Sequence, residues 1–157
     1  VLFMAFNTEA LGRRIGEIRR RRGLSQMALA EQIEKEFAKA DEIANVLIEV
    51  NMAQEESKFG ITSQETEELI REIAKLPHVR IQGLMTIAPF TDNPETNRVY
   101  FKNMKKLSVD INNKNIDNVS MNVLSMGMTG DYQVAVEEGA TMVRVGTGIF
   151  GERNYNI

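Results

Sequence analysis

The chain has 157 residues, 43% of them hydrophobic and 26% charged, with no cysteine and a formal net charge of −3. That length suits one domain with its own core but falls short of the roughly 250 residues of a complete (β/α)8 barrel, and the lack of cysteine excludes a disulfide scaffold or a thiolate zinc site. No apolar run approaches the roughly 18 residues of a membrane span, the apolar opening Val1 to Phe6 lacks the basic flank of a signal peptide, and a cytoplasmic location is expected.

Positive charge is concentrated near the start. Between Glu9 and Leu24 stand six arginines against two glutamates, a net +4, which leaves −7 for the remainder. Such a head reads first as a solvated helix face and second as a nucleic-acid contact. Thr8–Arg22 (TEALGRRIGEIRRRR) and Gln26–Ala40 (QMALAEQIEKEFAKA) predict two helices joined by Gly23-Leu24-Ser25, with Ser25 as N-cap. A boundary falls near Gly23 to Ser25 or at Asn45. The division adopted is a basic helical head over 1–25 and a second unit over 26–157.

From Asn45 onward, short apolar strands alternate with amphipathic helices. Asn45–Met52 (NVLIEVNM) predicts a buried strand. Thr62-Ser-Gln-Glu65 reads as a capping box, followed by Leu69, Ile70, Ile73 and Leu76 on one helix face, and Pro77 ends that helix. Val79–Ala88 is the next strand. Asn93-Pro94 starts a third helical element, continued by Tyr100, Met104, Leu107 and Ile111 at helical spacing. Ser120–Met126 predicts a strand, Tyr132–Glu138 a short helix ended by Gly139 as the C′ residue, and Thr141–Thr147 the last strand. This order predicts an α/β fold with four parallel strands and their helices, preceded by two helices: half of a (β/α)8 barrel, or a small open sheet.

Two loops carry the candidate chemistry, each directly after a predicted strand: Ser125-Met-Gly-Met-Thr-Gly-Asp131 and Gly146-Thr-Gly-Ile-Phe-Gly151. In parallel α/β folds ligands sit beyond the carboxyl ends of the strands, and in barrels phosphate binds after the last two. Glycine lets backbone N–H groups approach a phosphate, and the hydroxyls of Ser125, Thr129 and Thr147 add donors. Arg144 supplies a fixed charge or a planar donor fork. The second loop also spells G-x-G-x-x-G, but the dinucleotide reading needs a following helix and an acidic ribose ligand, and Ile157 comes six residues later. A pair of tight glycine turns is the competing reading.

The stretches LAEQIEK (Leu29–Lys35), VLIEVNMAQEESKFGI (Val46–Ile61), LPHVRIQGLMTIAP (Leu76–Pro89) and LSMGMTGDYQVAVEEGATMVRVGTGIFGERNY (Leu124–Tyr155) resemble the pyridoxal 5′-phosphate (PLP) homeostasis family. That family is a group of (β/α)8 barrel proteins similar to the N-terminal barrel of alanine racemase. The resemblance implies a PLP-binding, non-enzymatic module. Ser125 and Thr129 would hold the phosphate, with threonine at 129 where the family has serine, and Gly146 and Thr147 would offer backbone N–H groups. Arg144 would face the pyridine nitrogen. Met85 is read as a core methionine, with a place near the ring as the alternative, and Ser57-Lys58-x-Gly60 matches a family signature without a chemical role. No lysine of this sequence matches the one through which the family holds the cofactor's aldehyde, so PLP is expected to bind non-covalently.

A half barrel with two free edges and an apolar interior is expected to self-associate, as two half barrels, or to join a complementing half-barrel chain. A non-catalytic scaffold, natural or engineered as a chimera, is the rival reading. LGRRIGEIRRRRGLSQMALAEQI (Leu11–Ile33) also resembles the first two helices of a repressor-type helix-turn-helix, but no recognition helix follows, so sequence-specific DNA binding is not expected. His78 reads as an exposed turn residue, and the pairs Glu55-Glu56 and Glu137-Glu138 as solvated carboxylates.

Overall fold

A computed structural model describes residues 25–54 and 60–151. The basic head with its helix-turn-helix likeness, Glu55-Glu56, Ser57-Lys58 and the residues after Gly151 lie outside the described residues, so the proposed division at 25 is not addressed by it.

Helix α1 spans Gln26–Ala40, the predicted bounds. Ser25 caps it, accepting from the Ala28 N–H at 3.0 Å, and Asp41 ends it in the left-handed region at φ 53°. Strand β1 (Ala44–Glu49) follows, then α2 (Thr66–Ile73), β2 (Val79–Met85), a 3-10 turn (Pro94–Asn97) and α3 (Arg98–Asn112). Strand β3 (Val119–Met128), α4 (Tyr132–Glu137), β4 (Met142–Arg144) and a one-turn helix α5 (Thr147–Phe150) complete the described chain. Every predicted strand and helix from Gln26 onward is present, with ends displaced by a few residues.

The four strands form one sheet in the order β1-β2-β3-β4, each pair parallel. The fold is therefore half of a TIM-type barrel, with sequential strands side by side. Each pairing carries one register shift, between Val46 and Leu47, Ile81 and Gly83, and Ser125 and Met128. Such irregularities bend a strand and add local twist, which suits a sheet that curls.

Ile48, Leu84 and Leu124 lie on one face and are buried with Ile70, Phe101 and Met104 from the helices. Successive strand residues point to opposite faces, so their neighbours Leu47, Gly83 and Val123, mutual partners in the register, lie on the other face. That face is not uniformly apolar. At its lower end Gln82 donates to Asn45 Oδ1 at 3.0 Å and Ser120 donates to Gln82 Oε1 at 3.2 Å.

Three local expectations change. In α3 the buried stripe runs through Phe101, Met104, Ser108 and Ile111, while Tyr100 is only half-buried, because Phe101 falls on the line that Asn97 begins. The Thr62–Glu65 box forms as a turn ahead of α2: Thr62 Oγ1 accepts from the Glu65 N–H at 3.3 Å, and Thr66 Oγ1 donates to Thr62 O at 2.7 Å. His78 is not an exposed turn residue. Its N–H donates to Glu34 Oε2 and its Nδ1 lies on Glu34 Oε1, both at 2.7 Å, which ties α1 to the entry of β2.

Candidate functional site

Parallel pairing sends β3 and β4 out of the sheet at the same end, so the loops that follow them are neighbours. Four of the five predicted site residues fall into two hydrogen-bonded pairs, and Gly146 stands beside the second. Ser125 and Arg144 form the first, within the strands. Arg144 Nη1 donates to Ser125 Oγ at 2.6 Å, and Nη2 donates to the backbone carbonyl of Thr86 at 2.9 Å. Ser125 is 1% exposed and Thr86 fully buried. A serine hydroxyl that accepts from a guanidinium still has its own proton to donate. Met85, half-buried, is the register partner of Ser125.

The second group lies in the loops above. Thr129 Oγ1 and Thr147 Oγ1 are 3.0 Å apart, and the Gly148 N–H donates to Thr129 Oγ1 at 3.2 Å. Gly146 precedes α5, and its carbonyl accepts from Ile149 at 3.0 Å and Phe150 at 2.9 Å. Position 148 suits glycine because the two loops touch there: a Cβ would lie 3.0 Å from Thr129 Cγ2 and 3.1 Å from Val145 Cγ1. The second loop is thus not a bare turn but carries one turn of helix from Thr147.

The donor set is hydroxyls, backbone N–H groups and one guanidinium, the chemistry that receives an oxyanion such as a phosphate. Among the described residues, no carboxylate oxygen is bonded to Thr129, Thr147 or Gly148. Among the described residues no cluster of His, Cys, Asp and Glu is arranged to hold a metal ion.

Sequence reasoning missed three participants. Thr86 reaches Arg144 through its backbone carbonyl while its hydroxyl donates to Val50 O at 2.8 Å, so nothing in its residue type announces the contact. Asn97 binds Asp131, the last residue of the Thr129 loop, at 2.8 Å. Asp131 stood inside the quoted motif, which was the only available signal. The expected solvation holds for Glu137, whose side chain is 61% exposed, and is corrected for Glu138, at 15%; both carboxylates reach Arg98 at 2.6 Å.

Comparison with known proteins gives a match to the family described as alanine racemase, N-terminal domain, over residues 7–154. A pyridoxal phosphate homeostasis protein of Aquifex aeolicus is 44% identical over 132 residues, covering 84% of this chain and 57% of the relative. A protein from Bifidobacterium adolescentis superposes with a TM-score of 0.74 at 36% identity, over 79% of this chain and 49% of that one. PipY of Synechococcus elongatus, solved with PLP bound, gives 0.68 at 27% identity, over 79% and 57%. The chain spans about half the length of the curated relatives it matches. Among the described residues, no helix is long and apolar enough to cross a membrane.

Proposed function

Because the chain belongs to the alanine racemase N-terminal domain family, and within it stands with the pyridoxal phosphate homeostasis proteins, we propose that it is a PLP-binding module whose β3 and β4 loops receive the phosphate. The observation that carries this reading is the meeting of the Thr147 hydroxyl and the Gly148 N–H on Thr129 Oγ1, which joins the loops after β3 and β4 and leaves the Thr129 hydroxyl its own proton to donate. Ser125 offers a hydroxyl from below, and Gly146 shapes the approach of the second loop. Arg144 is held by Ser125 and Thr86, and on the family resemblance its guanidinium would meet the cofactor's ring nitrogen.

PLP supplies an electron sink when its ring nitrogen carries a proton. An arginine stays protonated in a protein and has no acceptor, so at that position it opposes a proton on the ring. The residues therefore favour holding the cofactor over turning over a substrate. No lysine of this half barrel matches the family's aldehyde-binding position, so this half contributes the phosphate end of the site.

Titration of the chain with PLP, followed by absorbance in the cofactor band, tests the reading. The wild type should change the band saturably, and Arg144→Ala should shift the spectrum and weaken binding. No binding of PLP or of inorganic phosphate at millimolar ligand would overturn it.

The same reading includes a partner. The sheet is expected to cover its open face with a second copy of this chain, or with a complementing half barrel, because β1 and β4 each have a single strand neighbour among the described residues.

A further inference from the structure

Thr129 can serve an anion only if its hydroxyl is held still, and the turn that carries it is tied down from beneath. The Asp131 N–H donates to Met128 O at 3.1 Å, closing a turn with Thr129 and Gly130 at its centre. Asp131 Oδ1 accepts from the Met128 N–H at 2.7 Å, so the same carboxylate bridges the two ends of that turn. Its other oxygen, Oδ2, accepts from Asn97 Nδ2 at 2.8 Å. Asn97 is 1% exposed, and Nδ2 also donates to Pro89 O at 2.9 Å, in the loop after β2. One buried amide thus spends both of its protons on joining the loops that follow β2 and β3. Behind the turn, the Ala135 N–H donates to Asp131 O at 3.1 Å. Gly127 allows this seating: at φ +90° it faces Ala135, whose Cβ a side chain at 127 would meet at 2.5 Å.

We propose that Asn97 and Asp131 are positioning residues for the phosphate: a buried amide–carboxylate clip that fixes the Met128–Asp131 turn and so sets where the Thr129 hydroxyl points. Neither side chain touches the anion. Each oxygen of the carboxylate is engaged by a donor, Met128 N–H or Asn97 Nδ2, which offsets its charge near a phosphate. Asn97 lies at the join between the 3-10 turn and α3, and the clip therefore couples the position of α3 to the site. This inference rests on the phosphate reading of the β3 and β4 loops.

The test compares binding of PLP, pyridoxal and inorganic phosphate by the full chain and by its Asn97→Ala and Asp131→Asn variants. Circular dichroism checks the fold of each. Asp131→Asn is nearly isosteric and keeps an oxygen for the Met128 N–H, so it decides the matter should Asn97→Ala fail to fold. Loss of one hydrogen bond to a charged group predicts PLP and phosphate binding about tenfold weaker in each folded variant. Pyridoxal, which lacks the phosphate, should bind as it does to the wild type. A purely structural role would weaken PLP and pyridoxal alike, and that result overturns the proposal, as does unchanged PLP affinity in a folded variant. A wild type that binds PLP no better than pyridoxal overturns the phosphate reading itself, and the clip falls with it.

Discussion

At the scale of single residues, the site depends on one close approach between two loops. Gly148 lets its N–H reach Thr129 Oγ1, and a methyl group there would press on Thr129 Cγ2 at 3.0 Å. Gly148→Ala should therefore push the loops apart by a few tenths of an ångström and break that hydrogen bond. Phosphate and PLP affinity should fall by roughly five- to tenfold, the scale of one neutral hydrogen bond. Thermal stability should move little, because position 148 is exposed. Calorimetric titration with inorganic phosphate, beside a melting curve, separates the two effects, and unchanged phosphate affinity would count against the cradle. The candidate residues were legible because their types carry the chemistry: glycine and hydroxyl residues in loops directly after strands, and an arginine two residues before one of them. The support was not legible. Thr86 contributes a carbonyl, which every residue has, and Asn97 acts on a turn far away in sequence. Only the folded sheet brings those groups together.

At the scale of elements, the helices carry their own signals, and the links between them do not. Ser25 caps α1 as its sequence predicts; Ser25→Ala should cost about 1 kcal/mol in a denaturant titration. Gly139, at φ +94°, closes α4 as predicted, with its N–H on Val136 O and that of Ala140 on Ala135 O. The contact of α3 with the end of α4 carries no sequence signal, since adjacent glutamates read as solvated until a cation from another element reaches both. Arg98 reaches Glu95, Glu137 and Glu138 together. By hydrogen bonding to Glu95 it holds that carboxyl below its ordinary range, while the three carboxylates push the guanidinium pKa upward. A carboxyl more acidic folded than unfolded contributes fully above its unfolded value, about 4.3, and loses that contribution as pH falls through the folded one. Arg98→Gln should therefore melt below wild type at neutral pH, and the two melting temperatures should converge as pH falls toward about 3. A gap that stays constant with pH would show that the link acts through packing alone. The depressed carboxyls of Glu36 and Glu67 are common to both proteins and drop out of the comparison.

At the scale of the whole molecule, the sheet is covered on one face and open on the other among the described residues. Helices α1, α2 and α3 bury Ile48, Leu84 and Leu124, but Leu47 and Val123 on the opposite face are only half-buried, and Met142 is 38% exposed. At the strand ends Phe90, Ile149 and Phe150 stand in solvent, Phe90 at 97% exposure. Apolar groups in that arrangement favour a partner, and the outer backbone groups of β1 and β4 favour one that brings strands. A second copy supplies both, setting an open face against its like, with the Asn45, Gln82 and Ser120 ladder at the lower end leaving polar groups to be matched there. The expected species by light scattering at micromolar concentration is therefore a dimer. Met142→Asp would place a charge on the exposed part of that face without disturbing the helix-side core, and should shift the chain toward monomer while leaving its circular dichroism unchanged. A wild type that is monomeric under those conditions would refute self-association. A variant that stays dimeric would move the interface away from the β4 side of the open face, toward the rim of Phe90 and Phe150.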